Sequence, residues 1–237
     1  MTIDKRKKYY LVLDTETAEG VEQPLPYDIG WAIMDKQGNI YALHSFAIYE
    51  VFCGMKESMQ SAYYAEKIPA YWDEIKDTEN IRELRSFWTI RKLLLDEMAM
   101  FGITEVWAYN MSFDKRALNN DTRYISKSFL RWFFPYGTEF KCIWNFACET
   151  ILKQKSFFGF VEENNLLSDC GNVRTSAEVA YMYMTDNANF EERHMGIDDV
   201  LIECQILSRC LRQNHKADTT PNSACWRKVT KAYNERL

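Results

Sequence analysis

The run Tyr9-Tyr10-Leu11-Val12-Leu13-Asp14-Thr15-Glu16-Thr17 passes without a break from five β-prone residues to an acid, a hydroxyl, an acid and a hydroxyl. Five such residues in a row predict a short strand over Tyr9–Leu13 that ends at Asp14. In extended backbone residues i and i+2 share a face, so the carboxylates of Asp14 and Glu16 leave the strand end together. Two anions a few ångströms apart repel, and one titrates high unless a cation lies between them. A polar turn after a strand has the same composition, and an acidic chain holds one D-x-E by chance, so alone this step is weak.

The segments that follow place the strand in a sheet. Tyr27–Met34 and Asn39–Ile48 read as two further strands, and the polar turn Asp35-Lys-Gln-Gly-Asn39 joins them as a hairpin. From Ile81 to Phe101 the apolar residues recur at mostly helical spacing up to Gly102, predicting one helix. Glu105–Tyr109 predicts a strand with a helix from about Ser112, and Phe140–Ile143 a short strand with a helix over about 144–154. Thr175–Met184, Asp198–Arg212 and Asn222–Leu237 predict three more helices. The stretch 155–173 is the least regular and reads as an inserted loop or hairpin. This order of elements predicts a single mixed α/β domain. No repeat, low-complexity tract or Pro/Ser-rich linker divides it.

Composition bounds the function. The chain has 237 residues, 47% of them apolar and 15% aromatic, enough for one substantial core. No apolar run approaches the roughly 20 residues of a membrane span, and residues 1–8 lack the features of a signal peptide. A cytoplasmic, non-membrane protein is expected. Seven cysteines, odd in number and without a C-x-x-C, fit reduced and mostly buried thiols. A net charge of −5 argues against a binder that relies on a large electropositive surface. It leaves room for a nucleic-acid enzyme, because a carboxylate site that recruits divalent cations supplies its own positive charge.

Two more segments repeat the placement of acids at element ends. In Ala108-Tyr109-Asn110-Met111-Ser112-Phe113-Asp114 a strand gives way to a helix with Asp114 in its first turn. An acid there also suits the helix dipole. In His194-Met195-Gly196-Ile197-Asp198-Asp199 a histidine stands five residues before an acid that opens an apolar helix. Asp198 reads as a helix cap or a solvated loop residue, and His194 alone as a surface loop residue. Together the three segments put acids at strand ends and helix starts, where α/β sheets place their sites.

The order D-x-E, N-x-x-x-D, H-x-x-x-x-D resembles that of the DEDDh (DnaQ-like) 3′→5′ exonucleases of the RNase H-like superfamily. Leu11-Val-Leu-Asp14-Thr-Glu16-Thr17 resembles their first motif and Asp28-Ile29-Gly30-Trp31-Ala32 the strand after it. Ala108–Asp114 resembles their second motif, and His194–Asp199 with Val200-Leu201 their third. The resemblance spans residues 9–211. There are departures: Ala18-Glu19-Gly20 replaces the usual T-G-L-like continuation, which puts substrate preference in question. Tyr109 stands where histidine is common and Gly196 where alanine is common. Met195 occupies the position of the tyrosine-type relatives, which favours the histidine class.

The resemblance implies a mixed β-sheet flanked by helices, and a basic arm at 1–8, an exonuclease domain at 9–213 and an extension at 214–237. It implies two divalent cations, Mg²⁺ with Mn²⁺ as substitute. Asp14 would bridge both ions, Glu16 and Asp199 would complete the site of the one carrying the attacking water, and Asp114 would help hold the other. His194 would act as general base. Thr15, Thr17, Tyr109, Asn110 and Phe113 would face the substrate, the 3′ end of a single strand, DNA ahead of RNA. The aromatics Phe113 and Tyr109 are stacking candidates against the alternative that they are core. Arg123, Lys127 and Arg131, Lys5 to Lys8, and Arg227, Lys228 and Lys231 read equally as phosphate contacts or solvated charge. The motifs read phosphate and metal and not the sugar, so an RNA-trimming or short-oligonucleotide exonuclease remains open, and so do two functions of other kinds. One is an accessory subunit of a polymerase or helicase in replication or repair, for which an exposed amphipathic helix at 222–237 would speak. The other is an inactive binding module, against which retention of all five site residues argues.

Overall fold

A computed structural model describes residues 3–18, 22–125, 129, 131–213 and 216–236. Glu19, Gly20 and Lys127 lie outside the described residues, as do the ends of the arm and extension at 1–2, 214–215 and 237. Six strands form one sheet: β1 (Tyr9–Ala18), β2 (Leu25–Asp35), β3 (Ile40–Ile48), β4 (Arg82–Arg85), β5 (Glu105–Ala108) and β6 (Glu139–Cys142). The helices are α1 (Tyr49–Phe52), α2 (Lys56–Gln60), α3 (Ile68–Lys76), α4 (Phe87–Phe101), α5 (Met111–Tyr124), α6 (Ile143–Glu149), α7 (Lys155–Glu163), α8 (Ala177–Thr185), α9 (Gly196–Gln213) and α10 (Trp226–Asn234). Among the described residues no helix is long and apolar enough to cross a membrane.

The strand order is β4-β3-β2-β1-β5-β6. β1, β2 and β3 are antiparallel neighbours, while β5 runs parallel to β1, β6 to β5 and β4 to β3. It is the mixed, helix-flanked sheet that the resemblance implies. β1 is central and covered on both faces, so its apolar run does not alternate with polar residues. Tyr10 and Val12 face one core with α6 to α10. Leu11 and Leu13 face the other, built from α1 to α5. The thiols at Cys142, Cys148, Cys204, Cys210 and Cys225 are free and buried.

Four expectations need correction. β1 does not stop at Leu13 but runs to Ala18, so Asp14 and Glu16 lie within the strand. Antiparallel pairing with β2 carries it on, matching Asp14 to Gly30 and Glu16 to Asp28. The expected helix from Ile81 begins only at Phe87. Arg82–Arg85 instead form the edge strand β4, because Arg82 buries its guanidinium against Asp28 and Ser86 then caps α4 through the N–H of Thr89. The irregular stretch 155–173 contains helix α7, whose Phe157, Phe158, Phe160 and Val161 are buried; only the bridge Leu167–Val173 is hairpin-like. Asp198 is neither a cap nor a loop residue: it sits half-buried in the first turn of α9, 3.1 Å from Arg193.

Candidate functional site

β5 ends at Ala108, whereas its neighbour β1 continues to Ala18. The overhang leaves Asp14 and Glu16 beside the gap in which α5 starts. Asp114, in the first turn of α5, is buried there and accepts a hydrogen bond from the Thr15 hydroxyl at 2.9 Å. Successive residues of one strand thus do different work. Asp14 and Glu16 face α9, and Thr15 between them holds the second-motif acid.

α9 completes the site by an unusually close approach. A Cβ on Gly30 would lie 2.8 Å from the backbone carbon of Gly196 and from the nitrogen of Ile197. Only glycine lets the first turn of α9 rest on the β2 backbone. A Cβ on Gly196 would meet Asp28 Oδ2 at 3.2 Å. The glycine at 196, a departure from the resemblance, is the counterpart of Gly30. Asp28 then accepts from the Gly196 N–H at 3.0 Å and from the Tyr71 hydroxyl at 2.7 Å, and its other oxygen pairs with Arg82. Arg82 reaches Glu74 at 2.8 Å, and Glu74 reaches Arg193 at 2.9 Å. A charge network, buried at Asp28 and Arg82 and reaching the surface at Arg193, ties the segment before α9 to α3 and to the sheet.

That segment carries His194, whose φ of +50° is left-handed. Its ring stacks on Tyr64 with centroids 4.7 Å apart, and Nδ1 lies 3.7 Å from Glu192. Ligand atoms of Glu16, His194 and Asp199 all fall within 4.8 Å of one another. The imidazole is therefore at the carboxylates and not on a remote surface loop. Burial, then the nearby Lys67, lowers its pKa.

Electrostatics of the acids follow from crowding away from water. Burial first, and then Asp114, Glu203, Asp199 and Glu16, push Asp14 well above the usual carboxylate range. Glu16 is raised well above it by burial and Asp199. Burial lifts Asp114 to about 7, and burial with Glu192 lifts Asp199 to about 8. Oδ1 of Asp199 is buried with no hydrogen-bond partner among the described residues. Lys67, whose charge acts on Glu16, donates to the Arg193 carbonyl and lies over the Tyr64 ring. Hard oxygen donors, an orphaned carboxylate oxygen and an uncompensated excess of anions fit a divalent cation.

Asp14, Glu16, Asp114, His194 and Asp199 line one cleft of about 650 Å³. Asn110 and Phe113 are at its wall, and Phe113 is half-buried there instead of filling the core. Tyr109 also borders it, but its hydroxyl is spent on the Thr175 carbonyl at 2.7 Å and its ring stacks on Trp144. Thr17 is not among the lining residues: it lies one residue beyond Glu16 on the strand, past a register shift in the pairing with β2. Arg123 lies away from the cleft, 5.7 Å from the Trp132 ring. Sequence reasoning missed Glu203, fully inside the cleft wall, which accepts from the Tyr109 N–H at 3.1 Å and is held well above the usual range by burial and Asp114. Its spacing of four from Asp199 on a helix was a usable signal. Tyr64, Trp144, Arg174 and Trp226 also reach the cleft from segments without a motif.

No protein-family model matches the chain, and no curated protein is similar to it. Among solved structures, it is similar to Escherichia coli exonuclease I in complex with a dA16 oligonucleotide, with 13% identity and a TM-score of 0.47 over 84% of this chain and 40% of that one. The same enzyme with a 5cy-dT13 oligonucleotide gives 13% and 0.48 over 84% and 39%. A product-bound exonuclease I gives 11% and 0.45 over 87% and 45%. The chain spans less than half the length of these proteins. Likeness at that level does not establish an activity.

Proposed function

We propose that this chain is a metal-dependent 3′→5′ exonuclease of the DEDDh type, acting on single-stranded or frayed ends, DNA ahead of RNA. One observation carries this reading: three segments far apart in sequence bring Asp14, Glu16, Asp114, Asp199 and His194 into a single cleft. Asp14, Glu16, Asp114 and Asp199 would hold the cations, with Glu203 behind them. Divalent ions in such a site stabilise the charge that develops on a phosphodiester under attack. Oxygen donors favour Mg²⁺, with Mn²⁺ as substitute.

The chain's own groups do the rest. The lowered pKa of His194 keeps its imidazole neutral, and so basic, at neutral pH. With Nδ1 turned to Glu192, Nε2 is the nitrogen that takes the proton from the attacking water. Tyr64, stacked on His194, fixes the ring plane. Phe113 and Trp144 offer faces to the terminal bases. The accessory-subunit reading lacks its feature, since α10 buries Val229, Thr230 and Tyr233 against the body of the protein.

The test is incubation with 5′-labelled single-stranded DNA, duplex DNA and RNA in Mg²⁺, Mn²⁺ or excess EDTA. A ladder shortening from the 3′ end, with mononucleotide products and none in EDTA, is expected. Full activity in EDTA, or cleavage of a closed circular single strand as fast as a linear one, would overturn the reading.

A further inference from the structure

Beside the carboxylate cleft lies a second groove of about 490 Å³, bordered by Asn172, Trp226, Arg227, Thr230 and Lys231, with Asn234 and the exposed acid Glu235 where α10 ends. Asn172 and Trp226 belong to both, so the two are continuous. Cations and ring faces lie along this path. Arg174 is exposed at the first cleft, and Arg227 and Lys231 are exposed on α10. Trp144 and Trp226 supply flat faces, and the Arg227 guanidinium lies 5.4 Å from the Trp226 ring centre. Neither Arg174 nor Arg227 has a carboxylate partner among the described residues. Lys231 meets Glu235 only at 3.6 Å, with both side chains mostly exposed, a pairing that contributes little and yields readily. Lys228, by contrast, is taken up structurally: it reaches Glu149 at 2.6 Å and Asn145 at 3.1 Å, which docks α10 on α6.

We propose that this groove is the track of the substrate strand: single-stranded nucleic acid leaves the carboxylate cleft over Trp226 and runs 5′-ward along Arg227 and Lys231 of α10. The inference rests on the exonuclease reading and adds to it where the strand beyond its last nucleotide goes. In a chain of net charge −5, two cations without a carboxylate partner and a third held only in an exposed pair with Glu235 lead out of an acidic cleft and match a polyanion whose end must enter that cleft. Ring faces between them match a polymer that presents bases as well as phosphates. On this account the C-terminal helix is part of the substrate site.

The probes are oligo-dT of two, four and eight nucleotides, the p-nitrophenyl ester of thymidine 5′-monophosphate, and poly-glutamate. Anisotropy of labelled dT8 in Ca²⁺ or EDTA measures affinity without turnover. Arg227→Ala/Lys231→Ala should weaken dT8 binding and flatten its salt dependence by about 1.4 in the slope of log K against log salt, since each single-strand phosphate contact contributes about 0.7. The gain in kcat/KM from two to eight nucleotides should shrink through KM. The one-nucleotide ester ends short of α10, and its hydrolysis reports whether the cleft itself is intact. An unchanged salt slope and unchanged length dependence in the double variant would overturn the track. So would equal competition by poly-glutamate, which would mark a general anion surface. If the wild type hydrolyses nothing, the exonuclease reading fails while the binding arm still decides the track.

Discussion

Asp121 is a single side chain whose cost is visible. It is fully buried in α5, and neither carboxylate oxygen has a hydrogen-bond partner among the described residues. Burial, with Glu50 adding to it, holds the group well above the usual range. The folded chain therefore keeps a proton that the unfolded chain loses near pH 4. Stability falls as pH rises from that value toward the folded pKa. Asp121→Asn cannot titrate, so its stability relative to the wild type should be lowest near pH 3.5 and rise toward pH 7, by about 1.4 kcal/mol for each pH unit between the unfolded and folded pKa. Urea unfolding at both pH values checks this; parallel curves would refute it. His194 offers the complementary test. His194→Ala should lower turnover by about 10²- to 10⁴-fold, as for other proton-transfer groups. Calorimetry should show Mn²⁺ affinity retained. Because the imidazole lies within 4.8 Å of Glu16 and Asp199 oxygens, loss of Mn²⁺ binding would make it a ligand instead.

Between elements, the contact that matters most is α9 on β2. A methyl at Gly30 would collide with backbone atoms of Gly196 and Ile197, which have no rotamer to yield. Gly30→Ala should therefore push the first turn of α9 away from the sheet, carrying Asp199 and His194 with it. Overpacking of this kind costs about 1–3 kcal/mol. The larger effect should be on rate, because a displacement of about 1 Å in a catalytic array costs on the order of 10²-fold. A folded Gly30→Ala protein with wild-type turnover would show that the close approach does not set the site. The same interface explains the Asp28–Arg82 pair. Asp28 sits directly beneath the Gly196 N–H, and its charge is tolerable only because Arg82 and Tyr71 meet it.

For the whole molecule, stability and cation binding should be linked. The acids of the cleft repel one another when no cation is present, and a ligand that binds only the folded state stabilises it by about 2.7 kcal/mol at 100 times its Kd. Saturating Mn²⁺ should therefore raise the wild-type Tm by roughly 2–4 °C for each kcal/mol gained. Asp14→Asn should melt above the wild type in EDTA, lose most of the Mn²⁺ shift, and have almost no turnover. A wild-type Tm indifferent to Mn²⁺, or a fully active Asp14→Asn, would count against the assigned site.

What the sequence determined by itself was local. Apolar runs and helical periodicity predicted β1, β2, β3, β5, α5, α8 and α9, because each buries a face whose repeat is written in neighbouring residues. The motif acids and His194 could be singled out because their order along the chain resembles that of one family; Asp114 and Asp199 do stand in the first turns of α5 and α9, whereas Asp14 and Glu16 lie inside β1 and not at its end. What needed tertiary structure was every feature whose energy depends on a distant partner. β4 reads as helix until Arg82 is seen to meet Asp28, 54 residues away. Thr17 looks like Thr15 in sequence, but only Thr15 meets the helix α5 that brings Asp114 to it. Glu203 passes for a polar helix residue until packing puts it among the carboxylates, and Trp226 joins the cleft because α10 docks on the body through the buried Val229, Thr230 and Tyr233 and through Lys228. Burial decides what a charge or a ring does, and burial is set by chain segments that no local window contains.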